Sequence, residues 1–141
     1  MTKDAQNLNF KKGHQSTNNE RVYDLEERTG LFGEDVIVFI KTLPYDRINN
    51  ELAKQFVRSG TSIGANYMEA DGAVSTKDFR HKIALCKKEA KESKHWLRMI
   101  AKANPDRKEE CKKLWQEAHE LTLIFSSIIK PSKQGKYYLV I

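Results

Sequence analysis

The strongest constraint on the fold is one apolar repeat. Phe79, Ile83, Cys86, Ala90, Ser93, Leu97 and Ile100 follow one another in alternating steps of four and three. Such steps share one face of an α-helix but scatter over both faces of a strand, so residues 75–103 read as a helix. Three further segments carry the same period. Leu25, Phe32, Val36, Phe39 and Leu43 line a face within residues 23–43, and Pro44 stops that helix. Leu52, Phe56, Ser59, Ile63, Asn66 and Ala70 line the next, which starts after Asp46 as N-cap and ends at Asp71-Gly72. Cys111, Leu114, Ala118, Leu121, Phe125 and Ile128 form the last, entered through Asn104 as N-cap and Pro105 as first helical residue and closed by Pro131. Ser75 with Asp78 gives the third helix a start like a capping box.

All three connections are short, which makes consecutive helices antiparallel neighbours. The expected fold is all-α, an antiparallel up-down four-helix bundle spanning residues 20–131. Residues 1–19 are polar and aperiodic and read as a mobile tail. Residues 132–141 read as a C-terminal tail; the apolar ending Tyr137 to Ile141 has no assigned role. At 141 residues with 7 Gly and 3 Pro, the chain suits one domain built of long helices. No apolar run is long enough to span a membrane, and no signal peptide is visible. Cys86 and Cys111 fall on core positions and read as buried thiols, which places the chain in a reducing compartment, the cytoplasm.

The net charge is +6, and its distribution matters more than its sum. Residues 20–43 hold three bases and six acids, whereas residues 77–98 hold eight bases and three acids. Within the latter, Arg80, Lys87, Lys91, Lys94 and Arg98 fall inside about 60° of arc at 100° per residue. They cover roughly 27 Å of helix at 1.5 Å per residue, long enough to track several phosphates. No aromatic residue interrupts this stripe, so binding through it would engage phosphates with weak sequence preference. A basic stripe also fits a solvated face, or one neutralised by the acidic first helix.

The second helix is rich in small residues: Ser59, Gly60, Thr61, Ser62, Gly64 and Ala65. Glycine inside a helix costs about 0.5–1 kcal/mol against alanine, a cost compatible with close approach of backbones. Packing inside the bundle, a subunit contact and an approaching phosphate are the three readings of that face. On the third helix Leu85, Trp96 and Ile100 add a second apolar stripe with Glu89 inside it. The fourth helix adds Trp115 and Ile129 beside its main face. Surplus apolar surface of this kind suggests an oligomer. Glu89 then needs a partner, and Arg58 or Arg28 are the candidates.

Catalytic constellations are absent from the pattern. His81 and His95 are fourteen residues apart, no Cys-x-x-Cys or His-x-x-x-His occurs, and there is no glycine-rich phosphate loop or nucleophile elbow. Glu26-Glu27 and Glu109-Glu110 are adjacent in sequence and point apart on a helix. No catalytic residue, metal or cofactor is assigned.

Asp24-Leu-Glu-Glu-Arg-Thr, the run from Arg58 to Ala70 (Arg-Ser-Gly-Thr-Ser-Ile-Gly-Ala-Asn-Tyr-Met-Glu-Ala), Asp78-Phe79 and Lys88-Glu-Ala-Lys-Glu-Ser-Lys-His-Trp-Leu97 resemble the bacterial 23S ribosomal RNA intervening-sequence proteins. The resemblance spans about residues 22–129. It implies an antiparallel four-helix bundle assembled as a ring-like homopentamer. The accessory proteins of diversity-generating retroelements are a related branch, similarly basic and pentameric, which binds nucleic acid and a reverse transcriptase. The resemblance carries over no catalytic residues. Its motif residues Arg58, Ser62, Asn66, Glu69 and Glu89 are expected to form an internal structural polar network that fixes helix register.

The reading that results is a non-enzymatic, oligomeric bundle that binds RNA or DNA through Arg80, Lys87, Lys91, Lys94 and Arg98. It would serve as an accessory factor of a retroelement or ribosomal RNA nucleoprotein complex. The alternative is a protein-binding scaffold with no nucleic-acid role, its basic third helix meeting the acidic first helix of its own or a neighbouring subunit. A third option is an enzyme with an inter-subunit site around Glu89.

Overall fold

The computed structural model describes residues 24–130. They form four helices, α1 Leu25–Ile40, α2 Arg47–Asp71, α3 Thr76–Ala103 and α4 Lys108–Ile129, with a 3-10 turn Pro105–Arg107 leading into α4. The expectations for residues 1–19 and 132–141 lie outside the described residues. Each helix is antiparallel to the next, as side-chain contacts along their lengths show. Gly64 lies beside Thr29 and Gly60 beside Val36. Glu69 pairs with Lys82 near one end of α2 and α3, Ser59 meets Ser93 at 2.9 Å in their middle, and Asn49 meets Asn104 at the other end. Lys94 and Arg98 of α3 face His119 and Trp115 of α4. The ring closes where Arg28 of α1 reaches Glu117 of α4 and Arg107 reaches Thr42. The neighbours of α3 are thus chiefly α2 and α4, and α1 sits across the bundle from it.

The apolar faces meet in one core. Phe32, Phe56, Ile63, Ile83, Leu97, Ile100, Leu121 and Phe125 are fully buried. Large buried side chains of this kind contribute most of the stabilising free energy, each about 1.5–3 kcal/mol on transfer from water. Phe79, Leu52, Leu114 and Ile128 are only partly covered, while Ile129 turns into the core. Both thiols are buried, and burial pushes Cys86 up to about 12 and Cys111 up to about 11. Neither is a thiolate near neutrality, so iodoacetamide at pH 8 should modify the unfolded chain and spare the folded one. Rapid labelling of the folded protein, measured by mass, would contradict this burial.

The helix starts follow their capping chemistry. Asp46 accepts the Asn49 N–H at 2.7 Å, and Ser75 accepts the Asp78 N–H at 3.0 Å. Two ends differ from expectation. Helix α1 stops at Ile40, and Thr42 and Leu43 bond back to Phe39 and Ile40 in a tighter turn that leaves Leu43 buried. Asn104 gives the next helix no side-chain N-cap; its Nδ2 donates back to Ile100 O at 2.9 Å, at the end of α3. Its amide also pairs reciprocally with that of Asn49: Asn49 Nδ2 donates to Asn104 Oδ1 at 3.0 Å, and Asn104 Nδ2 donates to Asn49 Oδ1 at 2.8 Å.

Both amides are buried, so each satisfies a group that water no longer reaches. Asn104→Ala should therefore cost about 2 kcal/mol by leaving the Asn49 oxygen without a donor. Adding Asn49→Ala should cost much less than a second independent loss, because the pair is already broken. Additive losses in a denaturant double-mutant cycle would show that the two amides do not act together.

Candidate nucleic-acid interface

The third helix has two flanks. Its α2 side carries Lys82, Glu89, Glu92 and Trp96; its α4 side carries Lys87, Lys91, Lys94 and Arg98. The core-facing residues Ile83, Cys86, Ala90, Ser93 and Leu97 lie between them.

On the α4 flank the predicted stripe becomes the wall of a seam. Lys91 and Arg98 are exposed, and Arg80, Lys87 and Lys94 are half-buried. No ion pair holds Lys87, Lys91 or Arg98 among the described residues. Lys94 is placed by α4: its Nζ lies 3.1 Å from His119 Nδ1 and 5.0 Å from the centre of the Trp115 ring. His119 stacks on Trp115 at 5.0 Å with the rings 16° from parallel.

Beyond this group the seam opens into a cavity of about 320 Å³. Leu97, Ala101, Cys111 and Trp115 line it with apolar surface, and Arg98, Lys108 and Lys112 supply charge. Helix α4 is correspondingly two-sided. Its acids Glu117 and Glu120 are held by Arg28 from α1, at 2.7–2.9 Å. They are therefore occupied on the opposite flank, and the α3–α4 seam keeps a positive excess.

Reasoning from sequence finds the α3 stripe but misses Lys108, Lys112, Trp115 and His119, which the fold brings beside it from α4. The stripe has no aromatic residue of its own; the seam has one.

The second expected cluster comes together in part. Arg58 reaches Glu89 at 3.3 Å, and Glu92 more closely. Glu92 also accepts the Trp96 indole N–H at 2.9 Å. That bond, with the Arg58 guanidinium, holds the Glu92 carboxyl below the usual carboxylate range. Glu89 is nearly covered, with 12% of its side chain exposed, whereas Arg58 is 48% exposed and well screened.

Ser62 and Asn66 do not join this cluster. Ser62 Oγ donates to Arg58 O at 2.5 Å and Asn66 Nδ2 to Ser62 O at 2.9 Å, both within α2. Glu69 pairs separately with Lys82 at 2.7 Å. The five residues lie along the flank of α2 and α3 as local contacts, where a single internal network was expected. The other candidate for Glu89, Arg28, is committed to α4.

Among the described residues, no group of three or more His, Cys, Asp or Glu is placed to hold a metal ion. No helix among them is long and apolar enough to cross a membrane.

An antiparallel four-helix bundle with a basic seam defines the structural class. The family model for the 23S rRNA-intervening sequence protein matches residues 24–127, which is the whole bundle apart from the last two residues of α4, and the chain belongs to that family. A crystal structure of a protein with unknown function from the S23 ribosomal protein family of Bacteroides thetaiotaomicron is similar at 31% identity, with a TM-score of 0.66. The match covers 74% of this chain and 97% of that one. No curated protein matches the chain.

Proposed function

We propose that this protein is a non-enzymatic, oligomeric nucleic-acid-binding bundle whose α3–α4 seam lies along the phosphate backbone of RNA or DNA. The observation that carries the proposal is the clustering of Lys87, Lys91 and Arg98 from α3 with Lys108 and Lys112 from α4, none with an ion pair among the described residues. Unpaired cations in a row favour a polyanion, and release of its counterions supplies the free energy. The helix carries few aromatic residues toward the phosphates, so sequence preference along it is weak.

The exposed apolar residues Ile37, Val38 and Met68 give copies of the chain a surface on which to associate. A homopentamer is the assembly that the family resemblance implies. In that setting the protein serves as an accessory of a larger nucleoprotein machine, a retroelement complex with its reverse transcriptase or a ribosomal RNA particle.

The scaffold alternative draws on the acidic α1. Within one bundle, however, α1 packs on α2 and α4, so only a neighbouring subunit would bring it to the stripe.

Fluorescence anisotropy with structured RNA and duplex DNA at two salt concentrations tests the proposal. The expected result is tight binding at low salt that weakens steeply as salt rises. A folded protein that binds neither at low salt would overturn the proposal and leave the scaffold in its place.

A further inference from the structure

The cavity between α3 and α4 offers more than a row of phosphates needs. Its floor of Leu97, Ala101 and Cys111 is apolar, and Trp115 forms one wall. That indole is already oriented, because His119 stacks on it and Lys94 sits over it. Arg98, Lys108 and Lys112 line the same cavity and have no ion pair among the described residues. A ligand matched to this site is flat, apolar over most of its area and negatively charged at its edge. The volume of about 320 Å³ lies at the small end of ligand sites, which run from roughly 300 to 1,000 Å³.

We infer that the cavity receives the base of an unpaired nucleotide, stacked against Trp115, while Arg98, Lys108 and Lys112 hold the phosphates on either side. The inference rests on the nucleic-acid reading of the seam and names the form of nucleic acid it selects. A base in an intact duplex is stacked between its neighbours and cannot enter, whereas a single strand, loop or frayed end presents its faces freely. Stacking on an aromatic side chain is tolerant of base identity, so the cavity selects for unpaired structure more than for sequence. The row formed by Lys87, Lys91 and Lys94 leads away from the cavity and would carry the adjoining phosphates. A nucleotide within a strand therefore makes more contacts than a free one.

The test compares three probes on the full-length protein: an oligothymidine, a strand of equal length with abasic sites throughout, and thymidine monophosphate. The first two carry the same phosphates and differ in their bases. The native protein should bind the oligothymidine roughly tenfold more tightly than the abasic strand, the scale of one stacked base. The monophosphate should be much weaker than either. Trp115→Ala should erase the discrimination between the strands. Trp115 is partly exposed, so its loss leaves the core intact.

A second readout does not depend on that variant folding. The chain has two tryptophans, and Trp96→Phe leaves Trp115 as the only indole emitter. Its fluorescence should be quenched by oligothymidine and unaffected by the abasic strand. Equal affinities for the two strands, or no selective quenching, would overturn the base-binding cavity while phosphate binding stands. Monophosphate binding as tight as the strand would overturn the strand-borne ligand. Failure of both strands to bind at low salt would remove the cavity and the nucleic-acid reading together.

Discussion

The variant Lys87→Glu/Lys91→Glu/Lys94→Glu is expected to bind nucleic acid at least about a hundredfold more weakly than the native protein at low salt. Three attractive charges along the seam become three repulsive ones, within a stretch of α3 about 10 Å long. The slope of log affinity against log salt should also flatten. Each lost phosphate contact removes about 0.7–0.9 from it, so three remove roughly 2–3.

The control is Lys41→Glu/Lys54→Glu/Lys113→Glu, which changes the net charge equally at three exposed positions off the seam. If affinity follows net charge alone, the two variants fall together; if the seam is the site, only the first falls far. Stability does not confound the comparison, because Lys87 and Lys91 make no ion pair among the described residues. Lys94 gives up only its contacts with His119 and Trp115, a cation–π contact being worth about 0.5–1 kcal/mol at an exposed site.

The second large effect concerns the fold, and two glycines should respond with opposite signs. A Cβ built on Gly60 would lie 2.8 Å from Val36 Cγ2 and 3.2 Å from Val36 Cγ1. Val36 is fully buried and stiff at χ1, so it has nowhere to turn. Gly60→Val should therefore force α1 and α2 apart and cost about 3 kcal/mol, near the upper end for overpacking. In a domain of this size that lowers the melting temperature by roughly 12 °C.

A Cβ on Gly30 meets nothing within 4 Å. Gly30→Ala should then stabilise the protein by about 0.5–1 kcal/mol through better helix propensity. Calorimetry on both variants decides the matter. A tolerated Gly60→Val would mean that the close approach of α1 to α2 is not required.

These glycines show how much of the molecule is legible in its sequence. The small residues of α2 announce a close approach, but only the packed structure shows that Val36 and Thr29 of α1 are what approach Gly60 and Gly64. Likewise the apolar period of α3 identifies its buried face residue by residue, because periodicity is a local property.

Partner choice is not local. Asn104 before a proline carries the signature of an N-cap, yet its amide is taken by Asn49, fifty-five residues away. Arg28 and Arg58 were interchangeable as partners for Glu89 until the neighbours of each helix were fixed. α1 lies against α4, so Arg28 goes to Glu117 and Glu120, and Glu89 receives Arg58.

Trp115 falls between these cases. The short turn at Pro105–Arg107 folds α4 back along α3 and sets residue 115 level with 98 and residue 119 level with 94. That register is calculable from the sequence once the turn is recognised, and it is the signal that would have placed an aromatic side chain beside the basic stripe.

The claim at the centre is that nucleic acid lies on the α3–α4 seam. Lysine acetylation read by mass spectrometry, with and without bound structured RNA, tests it on the native protein. Protection is expected at Lys87, Lys91, Lys94, Lys108 and Lys112, with Lys41, Lys54 and Lys113 modified equally in both states. Protection spread evenly over all eight lysines, or confined to the last three, would contradict it.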